Sequence, residues 1–370
     1  MLDWAARQAG ATLDDVAHKV SAKSAEKIQA GVLTPAQAER FAELTRVPFG
    51  YLFAHTPPPT RESLLADFRT TTESAPLGQD FYAIYDDVVY KQEWYRDYLQ
   101  SIEASPLPFV GKFRDSNAGN EEVANDVRTT LRLSLHELRT QPSADASYSL
   151  FAERAEAAGI LVFKNGVVGN NTHRPLSVSE FRGFAIADDI APAVFINGAD
   201  AKSAWLFTLA HELAHLWIGD SAISDASPKS ANHAEIRCNA IAAEILVPAA
   251  EFLARWESLT NTPDASRIQQ LRRQLKVSAL VVARRALDFD FISYDAYSQI
   301  YLQTRVADKA SGSGGDFYAT MGSRNGKRFS KTVAALAMAG ELGLRHASRL
   351  LNTTPTNVAN YHERNQAIPS

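Results

Sequence analysis

Apolar residues recur at three- and four-residue steps along most of this chain, a pattern that predicts helices. Residues 2–9 form the first, stopped by Gly10. Thr12 and Asp15 stand in capping-box positions ahead of Leu13, Val16, Ala17 and Val20, which share one face. A short helix over 24–30 ends at Gly31. Thr34-Pro35-Ala36-Gln37 opens another, carrying Phe41 and Leu44, with a cap, a proline at the first helical position and a glutamine at the third. Val47-Pro48-Phe49-Gly50-Tyr51-Leu52-Phe53 follows, and Pro57-Pro58-Pro59 makes a stiff linker and a boundary. Beyond it, Phe81, Ile84, Val88, Tyr95, Tyr98 and Ile102 mark a long helix over 79–103. Residues 120–134 and 146–159 also read as helices. A β-rich stretch then places strands at 160–164, 183–187 and 193–197, the last two separated by a turn with Asp188, Asp189 and Pro192. Helices return over 202–218 and 232–246, the second stopped by Pro248, and continue to about 306. Ser311-Gly312-Ser313-Gly314-Gly315 is a flexible linker, and no Lys-Ser or Lys-Thr pair follows it as a phosphate-cradling loop requires. The expected fold class is α+β, mostly α.

With 370 residues, 45% hydrophobic and 22% charged, the chain has material for two or three domains with real cores. Wholesale disorder and a disulfide scaffold are excluded. No apolar run reaches the length of a membrane span, and the first residues lack a basic segment followed by an apolar one, so no membrane partner is expected. Cys238 is the single cysteine, which suits a reducing cytoplasm. The net charge of −4 is uneven: residues 1–56 balance, 317–370 carry +5, and the stretch between them carries −9. A strong nucleic-acid binder is basic overall or over one domain, and only the C-terminal end leans that way.

The chemistry concentrates in Phe207-Thr208-Leu209-Ala210-His211-Glu212-Leu213-Ala214-His215-Leu216-Trp217. On a helix, His211 and His215 lie one above the other and can aim imidazole nitrogens at one ion. Glu212 then sits where it can take a proton from a water bound to that ion. With nine histidines in the chain, this spacing is rare by coincidence. His136-Glu137-Leu138-Arg139-Thr140 begins the same way without a second histidine and reads as surface helix. The third ligand comes from the next helix. Glu235 offers a carboxylate, and Asn239, one turn on, can hold a ligand histidine by a hydrogen bond. Alternatives stay open: Glu235 as a helix-dipole cap, His233 as the ligand, and Cys238 as a thiolate rather than a core residue. Glu244 reads as solvated or paired with an arginine.

His211-Glu212-Leu213-Ala214-His215, followed by Glu235-x-x-Cys238-Asn239-x-x-Ala242-Ala243-x-x-Leu246-Val247-Pro248, resembles the ImmA/IrrE family of zinc metallo-endopeptidases. Glu180-Phe181-Arg182-Gly183-Phe184 and Ala191-Pro192-Ala193-Val194-Phe195-Ile196-Asn197 match its lead-in strands. The resemblance covers about 146–300. It implies one zinc per chain on His211, His215 and Glu235, with Glu212 as general base in a gluzincin-like arrangement. The N-terminal residues resemble an XRE-type (lambda-repressor-like) helix-turn-helix, with 13–20 and 24–30 as its two helices. Residues 51–53, 57–59 and 67–70 look like the connection to the peptidase. The second of those helices offers only Lys23 and Lys27 as cations and no arginine for guanine, so DNA binding and protein binding are both open. Residues 347–358 repeat the helix-turn-helix cadence, with Pro355 entering a second helix and Arg345, Arg349 and Arg364 making the tail basic. Packing on the peptidase domain is the preferred reading there.

The expected organisation is thus a helix-turn-helix domain (1–56), a linker and helical region (57–145), a metallopeptidase domain (146–306) and a linker with a basic helical region (307–370). The substrate implied by the resemblance is a protein, a helix-turn-helix repressor whose cleavage relieves repression. A DNA-binding regulator with a non-catalytic metal site, or an antitoxin-like interaction protein, is the alternative. Residues 193–197 are expected to form a sheet edge on which substrate can lie. His233, Arg182 and Tyr294 are all candidates for stabilising the oxyanion.

Overall fold

A computed structural model describes the chain except residues 10, 46, 48, 54–76, 225–232, 308–316 and 367–370. The expected linkers at 57–59 and 311–315, and the 67–70 segment, lie outside the described residues. The chain divides into two compact units, one within Met1–Arg69 and Pro76–Ala83, the other within Thr70–Ala75 and Ile84–Ser370.

The first unit is built from α1 (Leu2–Gln8), α2 (Leu13–Ser21), α3 (Ala25–Gln29) and α4 (Pro35–Thr45). Thr12 caps α2 through a reciprocal capping box: its hydroxyl accepts from the Asp15 amide at 3.1 Å, and the Asp15 carboxylate accepts from the Thr12 amide at 3.4 Å. Gln37 and Thr34 repeat the arrangement ahead of α4. Ala6, Val16, Ile28 and Phe41 meet in a dry core, so each short helix is held by packing rather than by its own length. A 3-10 turn, Ala22–Ser24, links α2 to α3. Lys23 therefore sits on that turn and Lys27 on the five-residue α3, both exposed.

The second unit places a four-stranded sheet against helices. Its elements are α5 (Gln79–Ser101, mostly here), α6 (Asn120–Thr130), α7 (Leu135–Thr140), α8 (Ala144–Ala157), β1 (Leu161–Asn165), β2 (Val167–Val168), β3 (Asn171–Pro175), β4 (Gly183–Ile186), β5 (Ala193–Asn197), α9 (Lys202–Ile218), β6 (Ala222–Ser224) and α10 (His233–Leu246). The strand order is β1-β5-β4-β6. β5 runs parallel to β1, with Leu161 opposite Ala193, and antiparallel to β4, with Gly183 opposite Ile196. This corrects the expectation for residues 193–197: β5 is an interior strand, not an edge. Its five residues are all buried, as a strand covered on both faces requires, and the edges of the sheet are β1 and β6. β2 and β3 pair separately. In α5, Leu99 is buried while Ile102 lies beyond the helix end and is 55% exposed, which corrects its place in the apolar stripe.

Four helices, α11 (Ala249–Ser258), α12 (Asp264–Leu275), α13 (Ala279–Asp288) and α14 (Tyr294–Ala307), follow α10. The C-terminal region adds α15 (Phe317–Asn325), α16 (Lys327–Met338), α17 (Leu344–Leu350) and α18 (Pro355–Gln366). It packs on the rest of this unit, as its sequence suggested. The Asn352 side chain donates to Asp87 of α5 at 3.1 Å, and the Arg349 guanidinium lies 4.8 Å over the Tyr90 ring. Glu156 of α8 closes the start of α16 by accepting from the Arg328 amide at 3.2 Å. Gly326 leads into that helix at φ +77°, where a Cβ would meet Glu156 Oε1 at 2.8 Å.

Candidate metal centre

α9 is apolar nearly all round and is buried against the sheet and helices α6, α8 and α10. Its C-terminal end is fixed by backbone contacts. The amides of Gly111 and Phe113 donate to the carbonyls of Leu216 and Trp217 at 2.8 and 3.0 Å, satisfying acceptors that a helix end leaves open. Trp217 stacks on Phe109 at 4.4 Å and donates its indole N–H to Asp126 at 2.8 Å. Gly219 ends the helix at φ +73°, with the Asp220 amide returning to the His215 carbonyl at 3.0 Å.

On this rigid element His211 and His215 turn toward Glu235 in the first turn of α10. The two Nε2 atoms lie 3.0 Å apart, His211 Nε2 is 3.2 Å from Glu235 Oε2, and His215 Nε2 is 3.1 Å from Glu235 Oε1. A tetrahedral ion with bonds of about 2.0–2.1 Å sets its ligand atoms roughly 3.3 Å apart, close to this spacing. All three side chains are buried, and no donor is aimed at Glu235 Oε1. A buried carboxylate oxygen without a hydrogen bond is costly, and a cation shared with two imidazoles removes the cost. The donor set fits a divalent metal.

The surroundings hold the ligands in place. His211 Nδ1 lies 3.1 Å from Asn239 Oδ1, one turn after Glu235, which leaves Nε2 for the centre. His215 Nδ1 is 3.9 Å from Asp220 Oδ2, too far for a hydrogen bond but near enough for the charges to interact. Burial works against a charged His211, but the Glu235 and Glu212 carboxylates outweigh it and hold its pKa above the usual value. Burial wins at His215, aided by the charge of His211, and lowers its pKa. Burial also opposes ionisation of Glu235, but the two imidazoles outweigh it and keep the carboxyl well below the usual range.

Glu212 is fully buried beside this cluster, and its position depends on Gly183 of β4. A Cβ at residue 183 would lie 2.5 Å from Glu212 Oε1 and 2.8 Å from the Phe195 carbonyl oxygen. The missing side chain is the space the carboxylate occupies. The only sign of this role in the sequence is a glycine opening a strand, where close approach is the usual reason for one.

The competing residues fall elsewhere. His233 is exposed and outside the His211–His215–Glu235 group. Cys238 is a buried free thiol whose pKa burial pushes up, as a core cysteine. Glu244 is 4% exposed, which corrects the solvated alternative; it pairs with Arg285 and accepts from the Ala249 amide at 3.1 Å. Arg182 is turned to Tyr301 and Asp200, at 3.1 and 3.7 Å. His136 is exposed on α7, as the control motif suggested.

Two imidazoles four residues apart on one helix, a carboxylate from the next and a glutamate between the histidines define the class of metallohydrolase sites. Comparison with protein families points the same way. The model described as the IrrE N-terminal-like domain, a peptidase family (M78), matches residues 155–287, which hold His211, Glu212, His215 and Glu235. A family described only as a domain of unknown function matches residues 325–364. No curated protein and no solved structure matches the chain. Residues 155–287 are thus similar to the IrrE N-terminal-like domain of that peptidase family.

Proposed function

We propose that the protein is a zinc-dependent endopeptidase that cleaves a helix-turn-helix transcriptional repressor or a similar regulatory protein. The observation that carries this reading is the convergence of His211, His215 and Glu235 at 3.0–3.2 Å with Glu212 buried beside them. Two imidazoles and one carboxylate suit zinc, which supplies Lewis acidity toward a peptide carbonyl and lowers the pKa of water. Glu212 accepts the proton of the attacking water and returns it to the leaving amine, the role its burial and its place one residue after His211 favour. Asn239 fixes the His211 ring. The helical first unit serves recognition, of DNA or of the repressor's own helices, with exposed Lys23 and Lys27 as its cations near the α2–α3 turn.

Replacing Glu212 by Gln is expected to keep metal at the parent level and to reduce peptide cleavage by about a hundredfold or more. Metal per chain, measured by plasma mass spectrometry, should be near one zinc in the parent and far lower in Glu235→Ala. Cleavage by Glu212→Gln at the parent rate would sink the mechanism, and a parent that takes up no metal would sink the whole reading.

A further inference from the structure

A cavity of about 730 Å³ opens among α8, α9, α12, α13 and α14. Three cations line it, Arg272, Arg273 and Lys276, and no carboxylate does. That imbalance is unusual in a chain with net charge −4. The acids nearest in sequence are engaged elsewhere: Asp145 lies 3.5 Å from Lys164, and Asp264 is 3.7 Å from Arg267. Arg272, Arg273 and Lys276 are exposed, and none forms an ion pair among the described residues.

Two long helices also begin in the wall. Ser143 caps the 14-residue α8 and Ser278 caps the 10-residue α13; each hydroxyl takes one amide, from Ala146 at 3.1 Å and Val281 at 3.3 Å. Ala144 and Ala279, the first helical residues, line the cavity too, and amides in that position have no acceptor within the helix. The positive ends of both helices therefore reinforce the three cations. Leu206, Ile268 and Val277 give the cavity an apolar side.

We infer that this cavity binds a phosphate-bearing small molecule of nucleotide size. Arg272, Arg273 and Lys276 neutralise the phosphates and the apolar side takes the flat organic part. The volume falls within the usual range of small-ligand sites, and a concavity walled by five helices suits a compact ligand better than a nucleic-acid duplex. The site is separate from the metal centre and does not depend on the peptidase reading.

The test is titration calorimetry on the full chain with a nucleoside triphosphate, with inorganic phosphate and with a short DNA duplex, each with and without zinc. The triphosphate should bind saturably, independently of zinc and more tightly than inorganic phosphate. The triple variant Arg272→Gln, Arg273→Gln, Lys276→Gln should bind it about tenfold more weakly or worse, with unchanged melting because the three side chains are exposed. Each variant is checked by circular dichroism, and if the triple variant does not fold, Arg273→Gln alone carries the comparison. No saturable heat overturns the inference, as do equal binding by the variant, binding that requires zinc, equal affinity for inorganic phosphate, or tighter binding of the duplex.

Discussion

A single absent side chain decides where Glu212, the proposed general base, can stand. Gly183 leaves the volume that the Glu212 carboxylate fills, against the carbonyl of Phe195 on the neighbouring strand. Gly183→Ala forces either the carboxylate or the strand to move, because contacts of 2.5 and 2.8 Å are closer than a Cβ tolerates. The expected outcome is a loss of turnover of about tenfold or more, since small displacements of a catalytic group are costly, with zinc content near the parent value. Parallel metal analysis and peptide kinetics check it; equal loss of both would mean that the substitution damaged the fold instead. His211, Glu212, His215, Glu235 and Asn239 were legible because they are chemical residue types at helical spacing. Gly183 and Asp220 were not, because one acts through empty space and the other through a turn that brings it back beside His215.

At the level of elements, legibility tracked how local the cause was. α9 and β5 have the bounds their patterns predict, since a buried helix and a doubly covered strand both announce themselves by continuous apolar residues. β2 and β6, two and three residues long, are too short to show a period, and β3 is almost wholly polar and exposed. The interior place of β5 could not be read at all, because it depends on partners beginning at Leu161 and Gly183, and pairing between distant segments leaves no trace in periodicity. The junction of α8 and α16 carries its own prediction. Burial pushes Glu156 up to about 7 from an ordinary 4.5, only partly offset by the amides and lysine at the start of α16. The folded state thus keeps a proton that the unfolded chain releases above 4.5, so this contribution is complete below 4.5 and declines as pH rises through about 7. Glu156→Gln should flatten that slope, which amounts to at most about 3 kcal/mol across the window. Urea midpoints measured from pH 5 to 7.5 test it, and an unchanged slope would remove Glu156 as the cause.

For the molecule as a whole, the candidate metal ligands join α9 to α10, two helices of the second unit's core. An ion bound only by the folded chain adds its binding free energy to stability, about 4 kcal/mol at a thousandfold excess over Kd. Chelation is therefore expected to lower the main unfolding temperature by roughly 5–10 °C, with recovery on adding zinc and no response in Glu235→Ala. Differential scanning calorimetry decides it. Burial of the one cysteine has a further consequence. The candidate ligands are nitrogen and oxygen, and the sole thiol is sealed in the core with its pKa raised, so the protein presents no thiolate to peroxide. Should the proposed zinc be bound here, an oxidative burst that strips zinc from cysteine-ligated proteins would leave it in place, and a cysteine introduced anywhere on the surface would be the only one a thiol-reactive dye could find.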